Sequence, residues 1–288
     1  MKRASAGASA LELLRPESVA AATSALGNGA VALAGGTELV PLMREGITAP
    51  ETLVEIRGIV PRGIRDGWIG GGTTLGELES DPQVPAALQE ACTLAASPQL
   101  RAMGTIAGNL LQATRCWYWR LRFPCRLHGG DRCFAREGEH REHAIFANDF
   151  CASAHPSDVA PPLLACSTTV VTDRRRFPLA ELYRLPSADD RRTTTLEHDE
   201  LILELEYETP LASTYLKAMD RRRYAFAVVG VAAARFETGI RLALAGVAPI
   251  PWLLEDAAAL DRATPLPLNA YKVEVAKALV RRAVQAIS

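Results

Sequence analysis

The chain has no run approaching the roughly 20 consecutive apolar residues that a helical membrane span requires, so membrane insertion is not expected. It also carries almost no net charge, a formal -1 over 288 residues. No strong field therefore draws it to nucleic acid or to an anionic membrane. Neither the fingerprint G-x-G-x-x-G nor the phosphate loop G-x-x-x-x-G-K-[ST] occurs, which argues against a Rossmann NAD site and a P-loop. No C-x2-C pair is present, so a zinc ribbon, a zinc finger and a ferredoxin-type cysteine run are unsupported. Met1–Leu14 has a short basic start but no compact apolar stretch with a cleavage site, and a signal peptide is not expected. Internal repeats and low-complexity linkers are also lacking.

Hydrophobic residues make up 48% and charged residues 23%, an ordinary globular balance, and the length allows two or three packed units. The first 57 residues read as α/β. Pro16-Glu17-Ser18 can start a helix that Val19–Leu26 propagates, Ala30–Ala34 is a buried strand stopped at Gly35-Gly36, and Leu53–Ile56 is a second strand. A second unit, residues 58–176, opens on Trp68–Gly72 and contains helical segments at Thr74–Leu78 and Val84–Ser97. Within it, residues 115–151 mix Cys, Trp, Arg, His and Gly with no period. A structureless stretch of that length inside a compact domain is usually functional. Residues 177–288 form a third, α+β unit. Its expected three-stranded antiparallel sheet comprises Leu201–Glu208, Phe226–Phe236 and Ile240–Val247, followed by a helix at Tyr271–Ile287.

Two glycine-bearing segments can cradle an anionic cofactor. Leu33-Ala34-Gly35-Gly36-Thr37-Glu38-Leu39 sits where a strand turns, so its backbone N–H groups can approach a pyrophosphate closely. Gly104-Thr105-Ile106-Ala107-Gly108-Asn109-Leu110-Leu111-Gln112 joins small residues, a hydroxyl and two amides to an apolar wall. The bland alternative for each is a tight turn.

In order along the chain, the first segment with Pro41-Leu42-Met43-Arg44, then Thr105–Gln112, then His155-Pro156-Ser157-Asp158-Val159-Ala160, resemble the three flavin segments of the FAD-binding medium subunits of the xanthine dehydrogenase and carbon monoxide dehydrogenase family. The resemblance continues through Asp199-Glu200-Leu201-Ile202 and Lys217 to Ala245–Ala248. It implies a vanillyl-alcohol-oxidase-type (PCMH) FAD-binding fold, two α/β subdomains followed by a C-terminal α+β domain. It further implies that Val31, Ala32, Leu33, Ala34, Gly35, Gly36, Thr37, Glu38 and Leu39 wrap the pyrophosphate and adjacent ribose. Gly104, Thr105, Gly108, Asn109 and Gln112 would line the other side of the dinucleotide, and Ser157 and Asp158 would approach from the third segment. Ile202 and Lys217 would contact the isoalloxazine from the C-terminal domain.

Four of the six cysteines, Cys116, Cys125, Cys133 and Cys151, fall within 36 residues, spaced C-x8-C, C-x7-C and C-x17-C. On spacing alone a zinc site, free thiols, disulfides and an iron–sulfur cluster all stay open. Thr114-Arg115-Cys116 and Cys151-Ala152-Ser153-Ala154-His155-Pro156-Ser157-Asp158 resemble the ends of the insertion in the flavin subunits of bacterial periplasmic aldehyde oxidoreductases. Tyr224-Ala225-Phe226-Ala227 supports the same branch. That resemblance implies a [4Fe–4S] cluster on these four thiolates. Cys92 and Cys166 sit in apolar surroundings and read as packing residues. His128, His140 and His143 are expected at the surface or behind the thiolates, and Trp117-Tyr118-Trp119 as loop packing that also shields the cluster. Arg174–Arg176 and Arg221–Arg223 read as solvated turns, and His155 as structural.

The function implied is electron transfer: FAD here receives electrons from the [2Fe–2S] clusters of a small partner subunit and passes them to an external acceptor. A large molybdenum-cofactor subunit would oxidise an aldehyde or N-heterocycle, and no catalytic residue for that substrate is expected in this chain. The expected compartment is the cytoplasm, or the periplasm if a partner carries an export signal. The rivals are a metal-stabilised assembly subunit that has lost its flavin, and a stand-alone flavin oxidase.

Overall fold

A computed structural model describes residues 11–27 and 29–288, and the counts below refer to those residues. The extreme N-terminus, Met1 to Ala10, lies outside them. Twelve strands form three sheets. The first sheet is parallel, with β1 (Glu12–Leu14), β2 (Ala30–Leu33) and β3 (Thr52–Glu55) in the order β1-β3-β2. The expected first helix spans Val19–Ala25, and the Ser18 hydroxyl accepts from the Ala21 N–H to cap it.

The second sheet orders its strands β4-β5-β8-β6-β7 and is antiparallel throughout. Its members are β4 (Ile64–Arg65), β5 (Trp68–Gly70), β6 (Thr169–Thr172), β7 (Arg176–Pro178) and β8 (Ile202–Glu206). This corrects the expectation for Leu201–Glu208. The strand forms, but in the middle of this sheet rather than in the C-terminal one. Alternation identifies a half-solvated antiparallel strand and says nothing about which sheet will pair with it. Leu205 and Tyr207 join the main core, while Leu201 and Leu203 pack on Ala22, Leu26 and Val54 of the first subdomain. One strand thus ties the two subdomains together, and the second sheet extends past residue 176 to residue 206.

The C-terminal sheet has four strands rather than three: β9 (Ala212–Ala218), β10 (Val229–Phe236), β11 (Gly239–Ala245) and β12 (Trp252–Leu254), ordered β12-β11-β10-β9. In β10, Ala232 and Ala234 face the main core, while Val229, Val231 and Ala233 face the helix Tyr271–Ile287. Burial on both faces explains why this strand is apolar at nearly every position. The helix buries Ala276, Leu279, Val280, Ala283 and Ile287, a stripe at helical spacing. Cys92 and Cys166 are buried in the main core, as their apolar surroundings indicate. No helix among the described residues is long and apolar enough to cross a membrane.

Candidate functional site

The two glycine segments meet. A Cβ placed on Gly35 would lie 1.8 Å from the Met103 carbonyl oxygen, so only glycine permits the two loops to touch. Gly36 has a φ of +71°, the left-handed conformation that glycine adopts without strain. A Cβ on Gly104 would press on the Thr37 hydroxyl at 3.3 Å. Thr105 then caps the short helix Ile106–Leu110 by accepting from the Gly108 N–H at 3.2 Å.

These segments wall one groove with about 1100 Å³ of free space out to its mouth. Thr37, Glu38, Gly104, Thr105, Gly108, Asn109, Gln112 and Asp158 line it, all eight expected from the sequence. Ser157 sits directly behind, donating to Asn109 Oδ1 at 2.7 Å and accepting from the Ala160 N–H. Val31, Ala32 and Leu33 lie in β2 and Ala34, Gly35 and Gly36 follow it, so that these six lead up to Thr37 without themselves lining the groove. Leu39 opens the short helix Leu39–Arg44 that follows. Glycine loops in contact, a long open groove and small polar walls fit an extended dinucleotide.

Two expected contacts are placed differently. Ile202 belongs to β8 of the second sheet, not to the C-terminal domain, and its side chain is buried in the main core rather than lining the groove. The Lys217 side chain, on β9, is wholly buried and holds Asp158 instead of reaching into the groove. Its ammonium donates to Asp158 Oδ2 at 2.8 Å and to the Leu94 carbonyl at 2.9 Å. Tyr215, two residues earlier on the same strand face, donates its hydroxyl to Asp158 Oδ1 at 2.7 Å. Burial raises the Asp158 pKa, and Lys217 and Tyr215 pull it back. Gly230 leaves the space that the Tyr215 hydroxyl occupies, since a Cβ there would lie 2.2 Å from it.

Reading the sequence missed Tyr215. It also missed the groove's far wall of Arg115, Arg221, Tyr224, Ala225 and Phe226. The Arg115 guanidinium stacks 5.0 Å above the Phe226 ring. The Arg221–Arg223 run, read as a plain turn, thus contributes one residue to the groove. Arg174 and Arg175 do form a solvated turn and Arg176 opens β7, the three being paired with Asp199, Glu200 and Glu206 respectively.

The four clustered cysteines converge. Cys116, Cys125, Cys133 and Cys151 line a single small pocket together with Tyr118, Trp119, Phe134, Phe150 and Ser153. Among the described residues, no three His, Cys, Asp or Glu side chains gather closely enough to hold one metal ion. Backbone N–H groups of Tyr118 and Trp119 point at the Cys116 sulfur, and Ser153 bonds that of Cys151. As thiols in this setting, Cys116 is pushed up to about 12 and Cys151 to about 11, in both cases mainly by burial. A bare buried thiolate is costly there, so ionised ligands would need a compensating positive charge.

His143 lies behind the pocket with Nε2 3.3 Å from Cys116 Sγ, and Trp117 meets its ring edge-on. His140 is buried too, bonded to the Ala135 carbonyl and to the Leu268 N–H. Only His128 is at the surface, stacked on Trp119. The three aromatic residues Trp117–Trp119 therefore pack the loop and close one side of the pocket.

His155 is structural, as expected. Its Nδ1 accepts from the Ser157 N–H, the ring meets Tyr183 edge-on, and burial lowers its pKa to about 3. Between pH 6.5 and 3 the unfolded chain therefore binds a proton there that the folded chain does not, so stability falls as pH falls. From pH 7 to pH 5 the loss should be about 2 kcal/mol greater in the wild type than in His155→Gln. Urea denaturation at the two pH values checks this, and equal losses would refute it.

Residues 9–207 match the family model described as the FAD binding domain in molybdopterin dehydrogenase. The chain belongs to this family. It is 36% identical over 248 residues, 80% of its length and 78% of the relative's, to the aldehyde oxidoreductase FAD-binding subunit PaoB of Escherichia coli. It is 42% identical over 106 residues, 33% of the chain and 37% of the relative, to the carbon monoxide dehydrogenase medium chain of Afipia carboxidovorans. Among solved structures, a carbon monoxide dehydrogenase chain from Hydrogenophaga pseudoflava superposes with a TM-score of 0.70, at 26% identity and 96% coverage of both chains. Quinoline 2-oxidoreductase from Pseudomonas putida shares the fold, with a TM-score of 0.66 at 17% identity and 96% coverage of both. The fold is thus the expected PCMH type, and the family is one of FAD-carrying oxidoreductase subunits. The family match ends at residue 207, just beyond the last strand of the second sheet.

Proposed function

We propose that this chain is the electron-transfer subunit of a molybdenum hydroxylase oxidising an aldehyde or N-heterocycle, with FAD in the groove and a [4Fe–4S] cluster on Cys116, Cys125, Cys133 and Cys151. The observation that carries the flavin assignment is the convergence of three sequence-distant segments, around Thr37, Thr105 and Asp158, on one groove. Gly35, Gly36 and Thr37 would hold the pyrophosphate through backbone N–H groups, with Gly104, Thr105, Gly108 and Asn109 opposite. Lys217 and Tyr215 hold the Asp158 carboxyl group in place at the groove wall rather than touching the cofactor themselves. Bound FAD would supply the exchange between two-electron and one-electron chemistry, and the protein sets its position and surrounding charge.

What supports the cluster reading is that all four cysteines line one small pocket. N–H groups directed at the sulfurs support thiolate ligation, since each favours the anionic form. The partners in this reading are a small [2Fe–2S] subunit that delivers electrons, a large molybdenum-cofactor subunit and an external acceptor. The working compartment is the cytoplasm, or the periplasm where a partner carries the export signal.

Anaerobic purification with iron, sulfide and flavin assays tests both sites. The expected result is four irons and one FAD per chain, the flavin being released on denaturation. Flavin without iron would remove the cluster, and zinc without flavin would overturn the whole assignment.

A further inference from the structure

Glu38 is an acid on the wall of a groove that takes an anionic cofactor, and its charge therefore needs a partner. Arg115 supplies one bidentately, Nη1 to Oε1 at 2.7 Å and Nη2 to Oε2 at 2.6 Å. Arg120 adds Nη2 to Oε1 at 2.7 Å and reaches Glu45 with Nη1 at 3.0 Å. The Ala113 N–H also donates to Glu38, at 3.2 Å. Both arginines belong to the opening of the cysteine loop. Arg115 immediately precedes Cys116, and Arg120 ends the short helix Trp117–Arg120 that Cys116 begins. Arg115 is at the same time a wall of the flavin groove and a donor to Gln112 Oε1 at 3.1 Å.

We infer that the cysteine loop sets the affinity of the groove for FAD through Glu38, the loaded loop holding Arg115 and Arg120 against that carboxylate. The inference rests on the four-thiolate reading of the loop. Residues 115–151 contain only short helical turns, so the four sulfurs are the natural centre of their order. When that centre is lost, Cys116 no longer fixes the two arginines. Glu38 then presents a negative charge without its arginine partners on the wall of the site for a diphosphate. Repulsion in a partly desolvated groove is much stronger than in water. By linkage, bound FAD must in return raise the affinity of the loop for its iron by the same factor.

The test is titration of FAD into the deflavinated full-length chain, read by flavin fluorescence, with iron content measured on each preparation. Cys133→Ser should lose iron and bind FAD about tenfold or more weakly. Adding Glu38→Gln to Cys133→Ser should recover most of that loss, because it removes the repulsion without rebuilding the loop. If Cys133→Ser does not fold, Arg115→Gln/Arg120→Gln with all cysteines intact should weaken FAD similarly, again relieved by Glu38→Gln. Iron-free variants that bind FAD as tightly as the wild type, or no recovery with Glu38→Gln, would overturn the inference while leaving the cluster in place. A wild-type chain that never holds iron would overturn the cluster reading and the inference with it.

Discussion

Replacing Lys217 by methionine should cost about 3–5 kcal/mol of stability, the usual cost of breaking a buried ion pair by removing one partner, and should strip the flavin. The Lys217 side chain is 0% exposed and that of Asp158 is 5% exposed, so water cannot take over the lost interaction. Tyr215 would still donate to Asp158, but one neutral hydrogen bond does not offset an unpaired carboxylate in a dry site. The same carboxylate lines the groove, where its unbalanced charge would repel a pyrophosphate. Lys217→Met/Asp158→Asn should therefore regain a large part of the stability, because no charge is left to bury. Mild acid should also help the single variant, since the burial that raises the Asp158 pKa favours the protonated form. Urea denaturation with flavin quantification reads all three effects. Equal instability of the single and double variants would show that the charge of Asp158 is not the cause.

This ion pair also shows where sequence reading stopped. Strand β9 turns Ser213, Tyr215 and Lys217 inward, where the Ser213 hydroxyl accepts from the Ala87 N–H and Tyr215 and Lys217 donate to Asp158. A search for alternating apolar residues passes over such a strand, and β9 was missed for that reason. The short strands β6 and β7 carry too few residues to show a period. By contrast, the helix at Val19–Ala25, the strand stopped at Gly35-Gly36 and the terminal helix were legible, because capping residues, glycines and a long apolar stripe report local structure directly. The groove was legible segment by segment through its resemblance to a family. Its far wall was not, because Arg115, Tyr224 and Phe226 come from loops whose approach is decided by tertiary packing. The convergence of the cysteines was implied by the resemblance of the two ends of their loop, since their spacing left several arrangements open. The role of Glu38 did not, since its partners lie 77 and 82 residues away in sequence.

Lys272 holds the cysteine loop against the C-terminal domain, and Lys272→Met should loosen both. The residue is wholly buried in the first turn of the helix Tyr271–Ile287. Its ammonium donates to the carbonyls of Glu142 at 3.0 Å, His143 at 2.8 Å and Gly246 at 2.6 Å. Two of these acceptors belong to the cysteine loop, and the third follows β11. Methionine keeps the apolar stem but leaves the Glu142 and Gly246 carbonyls bare, whereas His143 retains the Asn269 amide at 3.0 Å. The buried Gly246 acceptor left without a partner should cost about 1–3 kcal/mol, while water can reach the part-buried Glu142 carbonyl. On the proposed four-thiolate reading of the loop, iron should also be released faster to a chelator, since the strap behind Cys116 and His143 has lost its anchor. The pH dependence separates this role from simple packing. Burial lowers the Lys272 pKa to about 7, below the usual lysine value. Between about pH 7 and 10.4 the folded chain then binds fewer protons than the unfolded one, so wild-type stability should rise with pH across that window. Lys272→Met lacks this rise, and its deficit should grow by about 2 kcal/mol between pH 7 and 9. Urea denaturation of both proteins at the two pH values gives the comparison. A constant deficit would mean that Lys272 keeps an ordinary pKa, its ammonium held charged by the three carbonyls.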